Sequence, residues 1–284
     1  MKSKRPQDLV FTLFGEYLLH HNKPVWVGSL ISLLSPFSLS EGAVRTVLSR
    51  MTRKGWLNTR RRGRNSFYTL SPRGLRLLEE GRDRIFHPSR QDDWDGSWYL
   101  VTYSIPEDTR HLRDQLRVRL AWLGFGSMGN GVWISPHNVE ARVLAMASEM
   151  AIEDKLLFFR AQQLGFSDQR SLVQRSWDLD GLACRYRDFL ERWRPVHQQY
   201  VERGDTLATD GVRCFVDRFN LIHEFRRFPL EDPFLPPALL PQSWPGQSAA
   251  VLFNDIHALL GPPAERHVEE ILEDAPAATP SRQR

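Results

Sequence analysis

The sequence predicts an α+β protein built in three parts. Three observations carry this. The first third shows apolar residues at helical spacing and then two strand-like runs, the middle alternates strands with helices, and the last third is helical in pattern. At 284 residues the chain is long enough for two or three domains. Its 41% hydrophobic and 25% charged content is that of a globular protein with proper cores.

Residues 8–21, DLVFTLFGEYLLHH, place Leu9, Val10, Leu13, Phe14, Tyr17 and Leu18 three and four apart, the spacing of an amphipathic helix. Pro24 breaks the chain. Val27 to Leu34 reads as a short second helix closed by Ser35-Pro36. Ser40 suits an N-cap, because its hydroxyl oxygen can accept a first-turn amide. Ala43, Val44, Val47, Leu48 and Met51 form the inward stripe of a third helix, and Gly55 stands where a left-handed C-cap belongs. That leaves Gly42, Arg45, Thr46, Ser49, Arg50 and Arg53 facing outward, with Lys54 at the end. Strand formers follow at Trp56–Thr59 and Ser66–Leu70, expected as a hairpin with Arg60-Arg61-Arg62-Gly63-Arg64-Asn65 as its tip. Ser71-Pro72 starts another helix, expected to reach about Phe86 with Leu75, Leu77, Leu78 and Ile85 apolar.

Helix, helix, capped helix and basic ribbon is the layout of a winged helix-turn-helix, expected over residues 1–88. Arginine on the third helix can bond both acceptors of a guanine, and Ser or Thr can bond bases or phosphates. Four arginines in one hairpin repel each other unless a polyanion is near, and there they would neutralise phosphates or enter a minor groove. An ordinary solvated basic surface is the competing reading. Charge distribution bears on the choice: residues 1–90 hold 17 Lys+Arg against 6 Asp+Glu, and the other 194 residues hold 21 against 28. A cationic first third on an anionic remainder suggests one domain that meets a polyanion.

A polar linker, residues 87–93, leads to a strand at Trp98–Tyr103 and a helix at Glu107–Leu123. Short strands at Phe125–Ser127 and Gly131–Ser135 flank the turn Met128-Gly129-Asn130, followed by a helix at Val139–Met150 and a strand at Leu156–Ala161. The order β-α-β-β-α-β is that of a ferredoxin-like unit, expected over 92–166. Gly124, Gly126, Gly129 and Gly131 lack the GxxxxGK[ST] pattern and a directly following helix, so a hairpin turn is expected rather than a phosphate loop. From about 170 to 275 a mostly helical domain is expected, with helices at Arg185–Trp193, Leu207–Phe228, Ala249–Leu260 and Glu265–Leu272, and a disordered tail over 276–284. Between them lies FPLEDPFLPPALLPQSWPG, with six prolines from 229 to 245. It reads as a rigid strap over a helical core, or as the wall of a pocket.

Several function classes have no support. No apolar run approaches the roughly 18–20 residues of a membrane span, and MKSKRPQDLV is not followed by a signal-peptide core, so a cytoplasmic, non-membrane protein is expected. Cys184 and Cys214 show no C-x-x-C and are expected as free thiols. The 9 histidines are scattered without a ligand pair and third partner, so no metal is expected. No GxSxG is present, and His223-Glu224 does not begin HExxH because position 227 is Arg. No catalytic residues and no cofactor are expected.

VTYSIPEDTR resembles the start of the small metal-dependent nuclease of CRISPR adaptation. That family carries a metal-holding Asp at the strand end, where this chain has Ser104. Glu107 and Asp108 read as helix-start caps. The resemblance implies that shape without its chemistry, and a sheet edge able to pair across a two-fold axis. A metal-dependent nuclease with a DNA-binding domain stays the alternative, and an architectural DNA-binding protein a third reading.

Three segments together resemble the PaaX family, bacterial repressors of phenylacetate catabolism, over about residues 8–272. They are EGAVRTVLSRMTRKGWL, VTYSIPED…LRVRLAWLGFGSMGNGVWISP and HEFRRFPLEDPFLPPALLPQSWPG. The resemblance implies a cytoplasmic homodimer on a palindromic operator in double-stranded DNA. It also implies release by an aryl-acyl-CoA thioester, typically phenylacetyl-CoA. On this reading Arg45, Thr46, Ser49 and Arg50 contact bases and phosphates. Arg53, Lys54, Arg60, Arg61, Arg62 and Arg64 hold the backbone and minor groove, and Lys2, Lys4 and Arg5 add phosphate contacts. A thioester needs cations for its phosphates and an apolar slot for its acyl group. His223, Arg226, Arg227 and Trp244, which flank the strap, are the candidates.

Overall fold

The computed structural model describes residues 5–21, 23–86, 94–165, 168–203 and 210–274. Lys2, Lys4, the 87–93 linker and the 276–284 tail lie outside them. The chain is α+β. It divides into two compact units, Met1–His87 with Glu191–Arg226 and Ala250–Arg284, and Pro88–Leu190 with Arg227–Ala249. The consecutive domains expected at 1–88, 92–166 and 170–275 are a different division, because residues after 170 are distributed over both units.

In the first unit, Pro6–Leu13 forms α1, with proline at a first-turn position where a missing N–H costs nothing. The single helix expected over 8–21 is interrupted: Phe14–Leu18 winds as a π-helical turn. Val25–Trp26 is a short strand, β1, that the sequence did not signal; it pairs with Tyr68 and Phe67. Val27–Leu34 is α2, where it was expected. Glu41–Arg53 is α3, and the Ser40 hydroxyl accepts from the Ala43 amide at 3.3 Å. Gly55 ends it at φ +74°. The Gly55 and Trp56 amides donate to the Thr52 and Met51 carbonyls at 2.9 and 3.0 Å, a Schellman closure. Val44, Val47, Leu48 and Met51 are buried, so the inward stripe is as the sequence predicts.

Leu57–Arg62 (β2) and Asn65–Leu70 (β3) pair antiparallel, and the sheet order is β1-β3-β2. Here the sequence expectation needs correction. Arg60, Arg61 and Arg62 are not in a loop tip but in the ladder, opposite Phe67, Ser66 and Asn65. Gly63, at φ +57°, permits a two-residue turn, so pairing continues to its edge. Pro72–Phe86 is α4. It sits close on the hairpin base, because a Cβ at Gly74 would meet the Trp56 carbonyl oxygen at 2.1 Å. Leu77 is 44% exposed and does not belong to its inward side.

Two of the later helices are longer than the pattern suggested, and the one expected over 207–228 is described only over Gly211–Phe225. Leu179–Arg203 (α8) extends the 185–193 expectation in both directions and contains Pro195. Gly211–Phe225 is α9 and Gly246–Glu273 is α11. Pro262 and Pro263 do not split α11 as expected, because Leu260, Ala264 and Val268 remain one buried stripe and packing overrides local propensity. Within the first unit α9 and the latter part of α11 share the core of α1–α4. Phe37 stacks on Phe219 at 4.0 Å, and Phe86 lies 5.6 Å from Phe253. The Ser29 hydroxyl donates to the Ile271 carbonyl at 3.1 Å.

The second unit holds Ser97–Tyr103 (β4), Arg110–Trp122 (α5), Gly126–Gly129 (β5), Val132–Ser135 (β6), Glu140–Glu149 (α6) and Leu156–Gln162 (β7). The antiparallel sheet has the order β5-β6-β4-β7. The tight turn is Asn130-Gly131, at φ 49° and 77°, rather than Met128-Gly129-Asn130; a bulge between Ser127 and Gly129 shifts it. One core joins Val101 and Trp133 to Leu116, Leu120, Val143 and Met146 of α5 and α6. The other joins Trp98 and Ile134 to Leu172 and Val173 of Gln169–Ser176 (α7), to Leu179, and to Leu235 and Leu239 of the proline strap. The strap, which begins with the short helix Phe228–Glu231 (α10), thus covers a sheet and helices together. Neither Cys184 nor Cys214 is in a disulfide.

Candidate nucleic-acid interface

The ten residues of α3 and the hairpin expected to meet DNA are all exposed and come from two neighbouring elements. Arg45, Thr46, Ser49, Arg50, Arg53 and Lys54 line the outer side and end of α3, and Arg60, Arg61, Arg62 and Arg64 belong to the β2–β3 hairpin. Strand alternation places Arg60 and Arg62 on one face and Arg61 on the other. Two cations are steadied by aromatic rings: Arg62 lies 5.7 Å from the Phe67 centroid and Lys54 5.0 Å from that of Trp56. The Thr46 hydroxyl donates to the Gly42 carbonyl at 2.8 Å, which orients its oxygen. Arg45 is held by Glu41 at 2.7 Å. Among the described residues, Arg50, Arg53, Arg60, Arg61 and Arg64 have no carboxylate at salt-bridge distance.

Sequence reading missed two parts of this surface. Glu41 neutralises Arg45, which its i,i+4 spacing could have indicated. Arg73 of α4 reaches the Lys54 carbonyl at 3.4 Å and adds an exposed cation beside the end of α3.

Beneath α1 lies a buried charge cluster that also went unseen. The Arg218 side chain is 5% exposed, and so is that of Glu16, 2.8 Å away. Glu265 stands 3.3 Å from the same guanidinium, which donates through Nε to the His257 carbonyl at 3.2 Å. His257 Nε2 lies 2.8 Å from Glu16 and 3.1 Å from Arg218. A nitrogen that donates to the carboxylate cannot also accept from the guanidinium, so the second approach is a contact. Burial pushes the Glu16 carboxyl up, but the His257 hydrogen bond and the Arg218 charge outweigh it and hold it below its ordinary value. The available signal was Arg218 on the buried stripe of Phe215, Phe219 and Ile222 in α9.

The effector candidates are placed as follows. His223 Nδ1 lies 2.9 Å from the Thr12 hydroxyl and Arg226 3.7 Å from Asp8, all in the first unit. In the second unit Arg227 is exposed, and Trp244 lines a cavity of about 320 Å³ with Asp232, Phe234 and Gln247. A second cavity of about 400 Å³ is bounded by β5, the start of α8 and the strap.

Nuclease chemistry finds no constellation among the described residues: none of them form a group of three His, Cys, Asp or Glu able to hold a metal. Glu107 lies in a 3₁₀ turn before α5, engaged by Arg113 at 2.7 Å, whose hydrogen bond and charge hold its carboxyl below the usual range. No single described helix is long and apolar enough to cross a membrane.

Fold and surface define an α+β protein with an exposed cationic face on α3 and the β2–β3 hairpin. Comparison with known proteins specifies it further: the chain belongs to the PaaX family. Residues 5–74 match the PaaX-like protein family, 91–173 the PaaX protein central Cas2-like domain and 177–270 the PaaX-like protein C-terminal domain. The chain is similar to the transcriptional repressor PaaX of Escherichia coli, 35% identical over 266 residues, which cover 93% of this chain and 83% of that protein. In fold it is similar to an uncharacterized protein from Mycobacterium tuberculosis, at 24% identity and TM-score 0.62, covering 94% of this chain and all of the other.

Proposed function

We propose that the chain is a cytoplasmic transcriptional repressor of an aromatic-compound catabolic operon of the phenylacetate type. It acts by binding DNA and not as an enzyme. Residues 5–86 serve as a winged helix-turn-helix, with α3 as the recognition helix and β2–β3 as the wing. The exposed Arg50, Arg53, Arg60, Arg61 and Arg64 of α3 and the hairpin, with no carboxylate at salt-bridge distance among the described residues, carry this reading. The antiparallel β-α-β-β-α-β unit serves as a ferredoxin-like dimerisation domain, and its strand order β5-β6-β4-β7 supports that part. Two copies on a palindromic operator would place their recognition helices about 34–36 Å apart, or a multiple of that.

The effector is an aryl-acyl-CoA thioester such as phenylacetyl-CoA, and the E. coli relative's name supports the pathway. His223, Arg226, Arg227 and Trp244 are the candidates to hold it. Alanine at Arg226 and Arg227 tests them by thioester-induced release. The decisive experiment is footprinting on the gene's own upstream region with and without phenylacetyl-CoA. Two protected half-sites that disappear with the thioester are expected. Protection of random DNA to the same degree would overturn the repressor reading, and protection indifferent to the thioester would overturn the effector.

A further inference from the structure

We infer that the 400 Å³ cavity beside β5 is the seat of an aromatic acyl group. The inference rests on the reading of the chain as an effector-released repressor and states where the effector's aryl end is held.

The size lies within the roughly 300–1,000 Å³ of small-molecule pockets. Phe125, Trp133 and Leu182, all buried, line it together with the half-buried ring of Trp177. Trp177 is seated by two features. Its indole N–H donates to the Gly124 carbonyl at 3.3 Å, and its ring occupies the space a side chain at position 126 would need. A Cβ on Gly126 would come within 2.5 Å of that ring. Glycine ordinarily weakens a strand, and here its bare backbone admits an indole as a pocket wall. Two indoles and a phenyl offer flat surfaces suited to a planar ring.

The rim specifies the rest of the ligand. Arg185 pairs with Glu231 at 2.8 Å, and both are about half exposed. Asp178 accepts the Gly181 amide at 3.0 Å as a helix cap. Two carboxylates therefore stand against one guanidinium, which is already engaged. A free arylacetate would bring a third negative charge to this rim, whereas a neutral thioester or ester brings none. The cavity therefore selects the acyl form over the free acid.

The test uses the full chain, calorimetric titration and operator release. The probes are phenylacetyl-CoA, phenylacetate and CoA. Phenylacetyl-CoA is expected to bind, with the other two at least ten-fold weaker. Leu182→Trp fills the cavity and Leu230→Trp obstructs its lip; each should weaken thioester binding at least ten-fold while operator affinity without ligand stays. Leu230 is 46% exposed, so its variant is expected to fold and decides the matter if Leu182→Trp does not. Equal thioester binding by folded Leu230→Trp overturns this site and leaves the repressor reading intact. A parent protein that footprints its operator but binds no thioester overturns the effector and this site together.

Discussion

At the scale of single residues, the most consequential is Arg218, which lies outside the exposed basic face of α3 and the hairpin. It neutralises a carboxylate buried beneath α1, and breaking such a pair leaves an uncompensated charge in the interior. Arg218→Met is expected to destabilise the protein by about 3–5 kcal/mol. Glu16→Gln in the same chain should recover part of that loss in thermal melts. Because the folded protein holds the Glu16 carboxyl below its ordinary value, its contribution is complete above the unfolded-state value of about 4.3 and disappears as pH falls through the lower folded value. Acid titration of unfolding stability should therefore show a component that Glu16→Gln removes. A second residue-level outcome concerns Glu41, which pairs with Arg45 and on the proposed reading competes with DNA for it. An exposed i,i+4 pair is worth about 0.3–0.5 kcal/mol, so Glu41→Gln should tighten operator binding about two-fold in a low-salt gel shift.

At the scale of elements, α3, the proposed recognition helix, depends on its two ends. Ser40→Ala removes the cap on α3 and is expected to cost about 1 kcal/mol, read from chemical denaturation. On the proposed reading the β2–β3 hairpin acts through charge rather than shape. Replacing Arg60, Arg61 and Arg62 with Ala should weaken binding to specific and random DNA alike. It should also flatten the salt dependence, each lost phosphate contact removing about 0.9 from the slope. Arg50→Ala should instead cost about 1–3 kcal/mol on the operator and little on random DNA. The element boundaries show how far the pattern could be read. Apolar spacing identified the inward stripe of α3 and the Ser40 and Gly55 signals identified its ends, because those causes are local. The same spacing concealed the π-turn at Phe14–Leu18, whose irregularity accompanies Glu16 at the buried cluster. Strand-former content alone leaves Arg60–Asn65 as a tip between the runs Trp56–Thr59 and Ser66–Leu70. Pairing with Phe67, Ser66 and Asn65 across the hairpin decides otherwise.

At the scale of the molecule, the first 86 residues share their core with α9 and α11. Within the first unit, Phe37 stacks on Phe219, Thr12 meets His223, Ser29 bonds Ile271 and Glu16 meets Arg218. A fragment ending at residue 88 should consequently melt at lower temperature and less cooperatively than the full chain, by calorimetry. An equally cooperative transition would show that these contacts add little.

By itself the sequence determined the α+β class, the three-segment family pattern, the concentration of positive charge in the first third and the exposed basic side of α3. These depend on composition and on periodicities a few residues long. The tertiary structure decided that α9 and α11 complete the core around α1–α4. It decided also that Arg218 and Glu16 meet across about two hundred residues of sequence, and that Gly126 yields its space to Trp177. The reason is the same in each case. Such partners are brought together by closing long loops around a shared core, and no local pattern along the chain records which distant residue will fill the space a side chain leaves.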